Sequence, residues 1–98
     1  MSFMTNVAGV SFRPEAVAQA RKGMKVSLVR EPDNPHDPNA VAVWDEFEAM
    51  QFGYIKRQYA WPVARAIDRG DPVSAVVAKT VGGENGMSAG ITIRISLG

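Results

Sequence analysis

The chain has 98 residues, eleven Lys and Arg against ten Asp and Glu for a net charge of +1, 46% hydrophobic residues, one histidine and no cysteine. That length suits a single small domain over residues 1–98, and the composition is that of a folded globular chain. Disulfides, thiolate metal sites and thiol catalysis are excluded. The near-neutral charge limits any nucleic-acid footprint to a few phosphates, because affinity for long duplexes comes from releasing counterions at many.

The opening MSFMTN has neither a basic nor an apolar leader region, and no apolar run approaches the roughly 18–20 residues that span a bilayer, so a cytoplasmic location without membrane contact is expected. Asn6–Phe12 reads as a first strand with Gly9 at a bulge. PEAVAQARKG follows as a short helix, with Pro14 at its first position, Glu15 in its first turn, Arg21 and Lys22 in its last and Gly23 at its end. Lys25–Arg30 alternates as a second strand. Ala40–Asp45 and Gln51–Lys56 read as a third and a fourth, joined by a tight acidic link. Ala60, Val63, Ala64 and Ile67 form one helical stripe, which predicts a helix over about Tyr59–Arg69, with Pro62 in its first turn and Gly70 closing it. Pro72–Val81 is a fifth strand. ITIRISL is a sixth, with Ile91, Ile93, Ile95 and Leu97 inward and Thr92, Arg94 and Ser96 outward. The expected fold is mainly β with two short helices: a small OB-like, partly open β-barrel of about six strands.

The chemistry concentrates in REPDNPHDPNAVAVW, Arg30 to Trp44. Asp33, Asp37 and Asn39 have the spacing of an early calcium loop, but Pro35 stands at the third ligand position, Pro38 at the turn glycine and Trp44 at the terminal acid. One histidine without cysteine makes no zinc site, so no metal or cofactor is expected. His36 beside Asp37 suggests a catalytic pair, yet neighbours in sequence rarely point the same way, and no serine lies in a nucleophile elbow. VGGENGMSAG has glycines but no lysine, so it is not a phosphate-cradling loop. The prolines, Asp33 and Asn34 are explained as stiffening: X-Pro steps favour extended backbone, and Asp and Asn side chains bond nearby amides. His36 and Asp37 are left for another role. Strict alternation would put Phe52, Tyr54 and Lys56 on one face and Gly53, Ile55 and Arg57 on the other. Phe12 and Tyr54 are therefore either core residues or, near Lys56 and Arg57, stacking faces beside cations for a single-stranded nucleic acid.

VAGVSF, KVSLVREPDNPHDPNAVAVW and FGYIKRQYA, followed by a helix and a glycine, together resemble the HIRAN domain family. Its members stand at the front of helicases that remodel stalled replication forks, and also occur as small bacterial or phage proteins. The resemblance runs from about Asn6 to Gly70. It implies a non-enzymatic OB-like barrel that seats the free 3′-hydroxyl of a single-stranded DNA end in a pocket, in repair or fork processing, with a helicase or repair protein as candidate partner. It also implies that His36 and Asp37 line the pocket, Asp37 accepting a hydrogen bond from the terminal hydroxyl. Tyr54 would pack by the last nucleotide, Arg57 next to Lys56 would contact phosphate, and Phe12 would stack on a base. Ser11, Phe12 and Arg13 stand where the fork-remodelling members have arginine and two aromatics, so one ring is missing and the arginine is displaced by two. Met87 is the one sizeable apolar residue in the C-terminal loop to cap the pocket. Two other readings stay open: a protein-interaction adaptor with a degenerate pocket, and a small metal-dependent nuclease.

Overall fold

The computed structural model describes residues 1–82 and 89–98, so Met87 lies outside the described residues. The elements are β1 (Ser2–Ala8), a 3-10 turn (Val10–Phe12), α1 (Pro14–Val17), β2 (Lys25–Arg30), β3 (Val41–Asp45), β4 (Gln51–Ile55), α2 (Arg57–Asp68), β5 (Val73–Val81) and β6 (Gly90–Leu97). The expected mainly β barrel with two short helices is what forms, but its ring is closed and not partly open, in the order β1-β4-β3-β2-β5-β6, every neighbouring pair antiparallel. Closure matters because it leaves no unpaired edge.

The alternation of β6 is realised: Ile91, Ile93 and Ile95 are buried in the barrel, joined by Val41 and Val43 of β3 and by Val77 of β5. Val63 and Ala64 of α2, and Val17 and Ala20 around α1, complete the same core. Phe3 of β1 and Tyr59 of α2 meet with ring centroids 5.4 Å apart, which ties the start of α2 to the barrel.

Three expectations about elements need correction. The first strand runs Ser2–Ala8, not Asn6–Phe12, because Gly9 at φ 78 turns the chain out of extended geometry into the 3-10 turn. The first helix stops at Val17. Beyond it, Arg21 donates through Nη1 to the carbonyls of Ala18 and Ala20, while Gly23 and Met24 exchange backbone hydrogen bonds with Val77. Pairing with β5 outweighs the intrinsic helix propensity of AVAQARK, although Ala, Gln, Arg and Lys are all good helix formers. The second helix begins at Arg57, which moves Pro62 into its second turn and leaves the carbonyl of Gln58, an exposed residue, without its helical donor.

The faces of β4 also differ from strict alternation. Val43 pairs with Gly53 and Trp44 with Gln51, so Phe52 is an extra residue at a bulge. Phe52 is thereby driven fully into the core, while Tyr54 stays half-exposed; they do not share a face. Gly53 has no room for a side chain: a Cβ there would run into the Ala8 carbonyl oxygen and the Val7 side chain. This close approach lets β4 pair with the end of β1, Val7 opposite Ile55 and Ala8 opposite Tyr54.

Candidate functional site

Where β1 ends and α2 begins, the barrel surface carries a depression of about 310 Å³ lined by Ala8, Asn34, His36, Asp37, Ala40, Tyr54, Ile55 and Arg57. Three segments build it. The β1–β4 closure supplies Ala8, Tyr54 and Ile55, the loop between β2 and β3 supplies Asn34 to Ala40, and the first residue of α2 supplies Arg57.

The loop holds its shape largely by its own hydrogen bonds. Asn34 Oδ1 accepts from the backbone amides of His36 (2.9 Å) and Asp37 (3.2 Å), and Asp37 Oδ1 accepts from the Asn39 amide (2.9 Å). These are the short-range side-chain turns expected of Asn and Asp among prolines. Asp33 does not share in them: it is exposed and makes no side-chain hydrogen bond among the described residues. Arg30 fixes the loop exit. Its Nη1 donates to the carbonyls of Pro38 and Ala40, both at 3.0 Å, while Nε and Nη2 grip both oxygens of Asp68 on α2 at 3.0 and 3.2 Å. A planar guanidinium suits this arrangement because its donors form a fixed fork.

Glu31 sets the other wall. Its Oε1 accepts from the Tyr54 hydroxyl (3.0 Å) and from Asn34 Nδ2 (3.0 Å), so one carboxylate holds the ring and the loop in register. With its hydroxyl tied back, Tyr54 is a positioned, half-exposed face. Arg57 is exposed in the first turn of α2, which has no acidic residue and no side-chain cap. The free amides and dipole of that turn therefore add positive potential beside the depression. Asp37 Oδ2 takes no hydrogen bond among the described residues and is left to accept one.

Of the residues singled out from sequence, His36, Asp37, Tyr54 and Arg57 come together here. Tyr54 and Arg57 converge because the chain turns from strand to helix at Lys56 (φ −53, ψ 139), not because they share a strand face. Ser11, Phe12, Arg13 and Lys56 are not among the lining residues. Ser11 and Phe12 sit on the 3-10 turn, with Phe12 86% exposed, and Arg13 is the non-helical residue just before α1. Glu31 and the apolar floor of Ala8, Ala40 and Ile55 had no sequence signal beyond an acid at a strand end and small or aliphatic residues. Among the described residues no group of three or more His, Asp or Glu side chains could hold a metal ion, and no helix is long and apolar enough to cross a membrane.

Comparison with solved structures places the fold among known ones. The chain is similar to the HIRAN domain of human HLTF, with TM-score 0.76 and 24% identity over 98% of this chain and 74% of that one. It is also similar to a protein from Lactobacillus plantarum, with TM-score 0.68 and 27% identity over 98% of this chain and 99% of that one. No significantly similar sequence was found among curated proteins. The family model described as HIRAN domain matches residues 1–98 from end to end, and the chain belongs to the HIRAN domain family, a family of DNA-binding modules.

Proposed function

We propose that residues 1–98 act as one non-catalytic module that binds single-stranded DNA by its end, with the 3′-hydroxyl seated in the depression beside Asp37. The observation that carries this reading is the meeting of His36, Asp37, Tyr54 and Arg57 around one small cavity, from three separate segments. Each supplies something an end needs. Asp37 Oδ2 accepts from the terminal hydroxyl, and Tyr54 offers a ring to the last sugar and base. Ala8, Ala40 and Ile55 exclude water beneath it, and Arg57 with the first turn of α2 attracts the adjoining phosphate. One or two phosphate contacts agree with a net charge of +1. The module would act in the cytoplasm beside a helicase or repair protein, at forks or breaks where free ends occur.

The test is an end-chemistry titration. A 3′-phosphate in place of the hydroxyl meets repulsion from the Asp37 carboxylate, so the wild-type protein binds the hydroxyl strand at least tenfold more tightly. Asp37→Asn is the informative variant, because it keeps the Oδ1 acceptor that the Asn39 amide uses and removes the charge. It weakens the hydroxyl strand and abolishes the preference. An equal loss for both strands sinks the role given to Asp37.

One observation favours a second reading, a protein-interaction adaptor. Phe12 is 86% exposed on a turn with no buried residue, outside the depression. A wild-type protein that fails to bind any single strand at low salt would decide for the adaptor.

A further inference from the structure

On the outward side of α2, Arg57, Trp61, Arg65 and Arg69 recur every fourth residue. At roughly 1.5 Å per residue the row extends about 18 Å, enough for several nucleotides at about 3.4 Å per stacked step. Arg57 is part of the depression already described, and the others lead away from it. A second hollow, of about 350 Å³, is lined by Trp61, Arg65, Asp68 and Arg69 of the α2 side and by Asn39 of the loop. The loop thus lines both: Asn34, His36, Asp37 and Ala40 face the first depression and Asn39 this hollow.

Trp61 adds nothing to the core. The buried residues of α2 are Ala60, Val63, Ala64 and Ala66, whereas Trp61 is 56% exposed. The Arg65 guanidinium lies over its ring, 5.4 Å from the centroid, a cation–π pair that occupies one face and holds the indole in place. The acids here are already answered: Asp68 by Arg30 and Asp71 by Arg69. Arg57 and Arg65 form no ion pair among the described residues. Counting Arg30, Arg57, Arg65 and Arg69 against Asp68 and Asp71, the strip carries two positive charges in excess. A positioned indole with one open face, backed and followed by arginines, is the chemistry that takes a base and its phosphates without reading sequence.

We propose that this row is a second contact for the same ligand: a track for the single-stranded DNA nucleotides behind the seated end, with one base stacked on Trp61 and phosphates met by Arg65 and Arg69. The inference rests on the end-binding reading above and deepens it, since it gives the strand a direction of exit, along α2. The surface beyond Phe12 is the competing exit.

Intrinsic fluorescence separates the two contacts, because the chain has two tryptophans and Trp44 has its indole nitrogen buried. The probes are a thymidine dinucleotide and a thymidine decanucleotide, both with 3′-hydroxyls. The decanucleotide quenches the emission and the dinucleotide, confined to the depression, does not. Trp61→Ala removes the quench and weakens the decanucleotide roughly tenfold, the effect of one lost base stack, while dinucleotide affinity is kept. Arg65→Gln lowers the slope of log K against log salt by about 0.7 for the decanucleotide. If wild type binds both probes and Trp61→Ala changes neither the quench nor the decanucleotide affinity, the track is overturned and the end pocket stands. If wild type binds neither probe, both readings fall.

Discussion

The loop that carries His36 and Asp37 and the turn that carries Ser11 and Phe12 both leave a strand near the depression, yet they are held by different means. The loop has side-chain hydrogen bonds within itself and a guanidinium across its exit. The turn has two backbone hydrogen bonds, from Phe12 to the Gly9 carbonyl and from Arg13 to that of Val10, and no buried residue. A segment with such internal ties presents its side chains in one geometry before a ligand arrives, so binding loses less to ordering. The turn has no such device. The contrast explains why the loop, and not the turn, supplies the depression.

The widest gap between the two segments should appear at Arg30 and Phe12. Arg30→Ala leaves the Pro38 and Ala40 carbonyls without their charged donor and Asp68 without its partner. It should destabilise the protein by about 2 kcal/mol, a fall in Tm of roughly 10 °C for a domain of this size. It should also weaken strand binding although Arg30 does not line the depression. Phe12→Ala, at a residue 86% exposed, should change stability by less than about 0.5 kcal/mol. Thermal unfolding of both variants checks the pair; similar Tm values would erase the distinction.

A smaller effect probes the turn from its own hinge. Gly9 has φ 78, and nothing lies within 4 Å of a Cβ added there. Gly9→Ala therefore meets conformational strain alone, about 1 kcal/mol, read from denaturant unfolding. Because Ala8 precedes it and lines the depression, a loss of strand binding beyond that expected from stability would show that the turn also shapes the floor.

Much of this arrangement was legible in the chain because local chemistry decided it. Lys25–Arg30 alternates and is a strand over those residues. Asn34, set among prolines, accepts the amide hydrogen bonds expected of its type, whereas the aspartate that does the same is Asp37 and not Asp33. Gly70 follows the second helix at φ 80. What escaped depends on partners distant in sequence. Ser2–Thr5 is a strand because it pairs with Ile93–Ser96. Phe52 and Tyr54 separate because a bulge opposite Trp44 adds a residue. Glu31 meets Tyr54 only because β4 pairs with β3 next to the loop, a contact spanning 23 positions. Lys56 looked like a ligand contact beside Arg57, but the strand-to-helix turn carries it out of the depression's lining.

The β3–β4 hairpin extends the comparison to a third segment, one that borrows the loop's device with a titratable group. Asp45 Oδ1 accepts from the amides of Met50 (2.7 Å) and Ala49 (2.6 Å), as Asn34 Oδ1 accepts from two amides in the loop. The Met50 amide above all, with Ala49 adding to it against an opposing effect of burial, holds the Asp45 carboxyl below its ordinary 3.8. A carboxyl with a lowered native pKa binds its proton less readily folded than unfolded. Its contribution to stability is therefore complete above about pH 4 and lost as the pH falls through the lower native value. Asn34 carries no proton to gain, so its turn is insensitive to the same change. Asp45→Asn keeps an oxygen for both amides and removes the titration. Urea unfolding between pH 7 and pH 2.5 should show wild type losing more stability on acidification than the variant. Parallel curves for the two proteins would mean that the hairpin amides do not distinguish the charged carboxylate from its neutral replacement.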